Sequence, residues 1–178
     1  RLLITNNQTA KEQVDKVEVY IKNNILSNTQ ADCCGGEAQE QNTFGDWRLN
    51  YVQITDDEEY GYFINVDCEP QSIYVKANHP EMNVDKLYSD AYPQIVGAGG
   101  ERYPAWEKAI TEKVQRGASV INYVGHGGIN GAADERFINI PQINSWTNIN
   151  KLHLFVSATC EFTKYDDPAV ISAGELNS

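Results

Sequence analysis

The sequence predicts an α/β fold built on a mainly parallel sheet. Three observations carry this: near-continuous apolar runs at 118–124 and 152–158, a helix punctuated at both ends just ahead of the first run, and alternating strand-like and helix-like stretches upstream. Apolar runs without a polar face mark strands covered on both sides, and parallel strands need crossovers that supply that cover.

Residues 9–26 carry Thr9 and Glu12 at capping-box spacing and an apolar stripe of Val14, Val17, Ile21 and Ile25, which predicts an amphipathic helix packed on the core. Residues 27–46, rich in Ser, Asn, Gln and Gly, have no periodicity and predict an irregular loop. Structured pattern resumes at Gly45-Asp46-Trp47-Arg48, with strands expected at 49–54 and 84–88 and a weaker helix after Pro70. The next helix is better marked. Pro104 suits a first helical position, Trp106, Ala109, Ile110 and Val114 recur at helical spacing, and Gly117 suits the left-handed residue that ends it. A short helix is expected at 141–146, and both apolar runs are expected to be buried central strands.

With 178 residues, 41% of them hydrophobic, the chain is expected to form one domain spanning 1–178. It opens on Arg1-Leu2-Leu3-Ile4 without a Met, as a piece of a longer chain would. No run approaches the roughly 18 apolar residues of a membrane span, and no leader pattern precedes the first helix. A net charge of −11 opposes binding to nucleic acid or anionic lipid. The run Asp56-Asp57-Glu58-Glu59 reads first as a solvated loop. Four cysteines, at 33, 34, 68 and 160, include no CxxC pair, so neither a zinc ribbon nor a thioredoxin motif has support. One of Cys33 and Cys34 is a candidate to bridge Cys68 in an oxidising compartment.

In open α/β sheets ligands sit beyond the carboxyl ends of the strands. Two strand exits carry chemistry: Tyr123-Val124-Gly125-His126-Gly127-Gly128 and Val156-Ser157-Ala158-Thr159-Cys160-Glu161. Alone, a histidine among glycines or a single thiol is ordinary. Together, at the ends of strands joined by one crossover, they form a candidate pair in which imidazolium stabilises the attacking thiolate. Glycine amides at such a turn can point at a developing oxyanion. Asp56 and Asp57, after a strand end, are weaker candidates to orient His126 or to select a substrate side chain. His79 and His153 are expected to be structural, and Trp47, Trp106 and Trp146 core or groove residues. No Walker loop, GxGxxG or HExxH is present.

The segments Tyr123-Val124-Gly125-His126-Gly127, Ala158-Thr159-Cys160-Glu161-Phe162, Asp166-Asp167-Pro168 and Ser172-Ala173-Gly174-Glu175 resemble the gingipain family of cysteine peptidases. Gly45-Asp46-Trp47-Arg48, Asp90-Ala91-Tyr92, Arg102-Tyr103-Pro104, Asn122 and Glu135-Arg136, in that order, resemble its PorU branch, the sortase or signal peptidase of the bacterial type IX secretion system. The Cys33-Cys34 loop and the apolar Ala169-Val170-Ile171 depart from that pattern.

The resemblance implies a caspase-like α/β/α sandwich with His126 and Cys160 as catalytic dyad and the amides of Gly127 and Cys160 as oxyanion hole. It implies cargo proteins with a carboxy-terminal secretion domain as substrates, secretion-machinery components as partners, a lipopolysaccharide as acceptor of the new carboxyl end, and a place at the bacterial cell surface. No cofactor is indicated; calcium is left open. The other readings are a general degradative peptidase with the same dyad and a catalytically silent caspase-like binding module. A metal site on His126 and Cys160 lacks further local ligands.

Overall fold

A computed structural model describes residues 7–29, 45–56, 58–98, 100–133 and 135–162. Helix α1 (Asn7–Thr29) leads into a short 3-10 turn at Asp46–Leu49 and strand β1 (Asn50–Thr55). A continuous helical stretch follows, made of α2 (Glu58–Tyr62), a π-helical segment (Phe63–Cys68) and α3 (Glu69–Asn78). Strand β2 (Asn83–Tyr88), the small hairpin β3 (Ile95–Gly97) and β4 (Gly100–Arg102), and helix α4 (Pro104–Arg116) come next. Strand β5 (Val120–Val124) then gives way to a three-stranded antiparallel sheet of β6 (Gly127–Gly128), β7 (Gly131–Ala132) and β8 (Ile138–Asn139). Helix α5 (Ile140–Asn144) and strand β9 (Leu154–Ala158) complete the described elements.

The main sheet has the order β2-β1-β5-β9 and every pair is parallel, as the alternating sequence pattern predicts. Side chains alternate across it with the strand period of two. Val52 and Ile54 on β1, and Ile121 and Tyr123 on β5, join Trp106, Ile110 and Val114 of α4 in the main apolar core. The intervening Gln53, Thr55 and Asn122 are buried too. They meet a polar network instead of hydrocarbon: Asn122 Nδ2 donates to Gln53 Oε1 at 3.1 Å and to Gln71 Oε1 at 2.8 Å, and Gln53 Nε2 lies 3.0 Å from Cys68 Sγ. Buried amides are tolerated here because they are hydrogen-bonded, Gln53 and Asn122 to each other and Asn122 to Gln71 at the surface.

Helix α4 begins and ends where the sequence indicates. Pro104 occupies its first turn, and Gly117 follows at φ 98°, where a Cβ would come within 2.9 Å of the Trp47 side chain. Gln142, capped by Asn139 at the start of α5, ties α5 back to α4 by donating to Thr111 Oγ1 at 2.8 Å.

Three expectations are corrected. Helix α1 starts at Asn7, so Thr9 lies within it, and its stripe is not core: Val14, Val17 and Ile21 are exposed. Strand β9 is the last strand of its sheet among the described residues, with Leu154 63% and Val156 42% exposed, so it is not a central strand. Cys68 is a free, fully buried thiol whose pKa burial raises to about 11; it makes no bridge. Cys33 and Cys34 lie outside the described residues, as does most of the expected 27–46 loop.

Candidate active site

The order β2-β1-β5-β9 contains a topological switch. The chain leaves β1 toward β2 on one side, and leaves β5 toward β9 on the other. Connections that diverge this way open a crevice at the carboxyl ends of the two central strands. Asp56 stands at the end of β1, and Gly125-His126 at the end of β5.

Asp56 ties these two exits together. Its Oδ2 accepts the backbone N–H of His126 at 2.7 Å, and the Tyr123 hydroxyl lies 3.1 Å from the same oxygen. The Tyr123 hydroxyl also donates to the His126 carbonyl, which accepts the Ala133 N–H at 2.8 Å. The phenolic proton is shared between the two oxygens, and the hydrogen bonds donated to the carboxyl by Tyr123 and His126 favour its charged form. Burial outweighs these bonds and raises the Asp56 pKa, with nearby Glu135 adding to the rise. Tyr123, buried beside the same carboxyl, is held neutral.

Gly125 is required by this packing. A Cβ there would stand 2.4 Å from Asp56 Oδ2 and 2.6 Å from Tyr123 Oη, closer than any side chain tolerates. The hydrogen bonds therefore hold the backbone of His126 from both sides, and its ring meets the edge of Phe63 with centroids 5.3 Å apart.

Cys160 reaches the same rim from β9. Val124 pairs with Ala158, and the Gly125 N–H donates to the Ala158 carbonyl at 3.3 Å, so His126 and Cys160 each follow two residues after a paired position. The loops touch at Gly127, where a Cβ would come within 2.9 Å of the Cys160 carbonyl oxygen and 2.4 Å of Thr159 Oγ1. Cys160 is a free and exposed thiol. Glu161 beside it adopts φ 48°, a left-handed backbone rare outside glycine, and Phe162 is buried and stacked on Phe155 with centroids 6.0 Å apart. The tight turn presents the thiol outward while the following ring anchors it.

Of the residues singled out from sequence, His126, Gly127, Cys160 and Asp56 thus share one edge of the sheet. Asp57 lies outside the described residues. His79 is an exposed residue beyond α3, 3.5 Å from Glu81, and His153 packs between Trp146 and Phe155. Sequence reasoning missed Tyr123 and Phe63. A tyrosine within an apolar strand run was the available signal for the first, since a buried phenol needs a hydrogen-bond partner. Among the described residues no His, Cys, Asp and Glu group is arranged to hold a metal ion, and no helix is long and apolar enough to cross a membrane.

A parallel sheet that carries a solvent-reachable thiol and a histidine loop to one edge places the chain among the caspase-like α/β folds. A crystal structure titled as the Arg-specific cysteine proteinase gingipain R shares this fold. The TM-score is 0.62 at 18% identity, with 97% of this chain and 34% of that one covered. The chain thus spans about a third of the length of its structural relative. Residues 1–176 match the family model described as peptidase family C25, and the chain belongs to that family. No curated protein sequence matches it.

Proposed function

We propose that this chain is the catalytic region of a cysteine endopeptidase in which Cys160 is the nucleophile and His126 the general acid and base. The observation that carries the reading is the meeting of two loops at Gly127: an exposed free thiol on one, a hydrogen-bonded histidine backbone on the other. Membership of peptidase family C25 supports the same chemistry.

The Cys160 sulfur attacks the scissile carbonyl carbon, and the amides of Gly127 and Cys160 hold the resulting oxyanion. The carbon–nitrogen bond then breaks as His126 delivers a proton to the departing amine, leaving a thioester. Water, deprotonated by His126, attacks the acyl carbon and releases a carboxylate and the free thiol. An amine in place of water forms a new amide, which requires that the acceptor be held in the site. Asp56 acts as a positioning residue for the His126 backbone. The chemistry needs no cofactor.

The ordered PorU-like segments support the finer reading: the enzyme removes carboxy-terminal secretion domains from type IX cargo at the bacterial surface, beside the secretion machinery, and can pass the new carboxyl end to a lipopolysaccharide. The test is product analysis of a cargo protein bearing such a domain, alongside unrelated peptides of matched length. Selective release of the domain, lost in Cys160→Ala, is expected. Equal cutting of the unrelated peptides would instead make the chain a general degradative peptidase. A Cys160 inert toward a thiol-directed acyl inhibitor would make it a silent binding module.

A further inference from the structure

The antiparallel sheet that begins at Gly127 also walls a cavity of about 670 Å³, whose lining includes Arg102, Glu107, Asn130, Arg136 and Asn139. The chain carries a net charge of −11, yet this cavity sets two guanidiniums against one carboxylate. Arg102 donates one N–H to the Glu101 carbonyl at 2.6 Å, which leaves its other donors for a ligand. Its field pulls against the burial that raises the Glu107 pKa.

Arg136 is held in place by its backbone. It adopts φ 53°, its N–H donates to the Ala133 carbonyl at 3.2 Å, and its carbonyl accepts the Asn139 side-chain amide at 3.0 Å. Gly131 lies against it, where a Cβ would come within 3.2 Å of the Arg136 Cβ. A non-glycine residue persists in this conformation only where its surroundings over-determine it, and such residues gather at ligand sites.

We propose that this cavity is a specificity subsite for an acidic side chain of the peptide being cut, with Arg102 and Arg136 pairing its carboxylate. The proposal rests on the peptidase reading and adds its substrate class. Glu107 lowers the cavity's charge to a value suited to a monoanion such as a carboxylate, and less to a phosphate dianion. Position follows from strand register. Gly128 pairs with Gly131 and Gly131 with Asn139. The cavity wall is therefore two strand spacings, about 10 Å, from the Gly127-Gly128 loop. An extended peptide covers that in about three residues.

The experiment uses the protein containing this chain and peptide pairs that differ only by Glu or Gln, scanned two to four positions from the cut. The ratio of kcat/KM within each pair reads the subsite, so a general loss of activity cancels. Glu is expected to exceed Gln by about five- to tenfold at one position, as charge-assisted pairing in a partly exposed site allows. Arg102→Gln and Arg136→Gln should each reduce that ratio to about two, and Glu107→Gln should raise it. A ratio near one at every position, or one unchanged by both arginine variants, overturns the subsite while leaving the peptidase reading intact. No cleavage of any peptide, together with an unlabelled Cys160, overturns both.

Discussion

Asp56 sets the geometry of the proposed site one residue at a time. Its buried carboxyl accepts from the His126 amide and the Tyr123 hydroxyl, so removing it takes that acceptor from both and leaves the hydroxyl only the His126 carbonyl. Asp56→Ala should cost about 3 kcal/mol in chemical denaturation. The pH dependence has a defined sign. Burial raises the carboxyl's pKa in the folded state, so its contribution is full below the unfolded carboxylate range of about pH 4 and declines as pH rises through the folded value. Asp56→Asn does not titrate. The stability difference between variant and parent should therefore shift in the variant's favour from about pH 4 toward neutrality; parallel curves would refute the raised pKa. Gly125→Ala should destabilise by about 2–3 kcal/mol, because its methyl would occupy the space of the Asp56 carboxylate. The sequence displayed Gly125 and Asp56 as neighbours of strand ends but not their contact. Residues separated by 69 positions meet only through the β1–β5 pairing, which no local pattern encodes.

At the scale of elements, the turn after β9 depends on Phe162, whose ring is buried against Phe155 while Cys160 stays exposed. Phe162→Ala should cost about 3–5 kcal/mol in denaturant melts and loosen the presentation of the thiol. Gly127→Ala should press on Thr159 and the Cys160 carbonyl, slowing thioester formation more than it lowers the melting temperature. If both fall together, the loop contact is structural only. The elements legible in sequence were those with strong punctuation or long apolar runs. Pro104 and Gly117 bracket α4, and the run at 118–124 became β5. The stripe of α1 misled because periodicity reports that a helix has an apolar face, not that the described chain covers it. The apolar composition of β9 similarly concealed its place at the end of the sheet.

For the molecule as a whole, the sheet order explains why the two loops meet. Divergent connections at β1 and β5 open the crevice, and β9, parallel to β5 in register, delivers Cys160 to it. That the loops bearing His126 and Cys160 end at one edge of the sheet was legible because one crossover between parallel strands returns the chain to the same edge. The hydrogen-bond frame behind His126 was not, since it draws on β1, β5 and the 131–133 turn together. The most direct measurement is mass spectrometry of the acid-quenched protein after brief exposure to a peptide acyl donor. A thioester on Cys160 is predicted, forming at least 100-fold more slowly in a folded His126→Ala variant, within the range that general acid–base catalysis contributes. An acyl group found elsewhere, or a rate on Cys160 untouched by the loss of the imidazole, would contradict the proposed dyad.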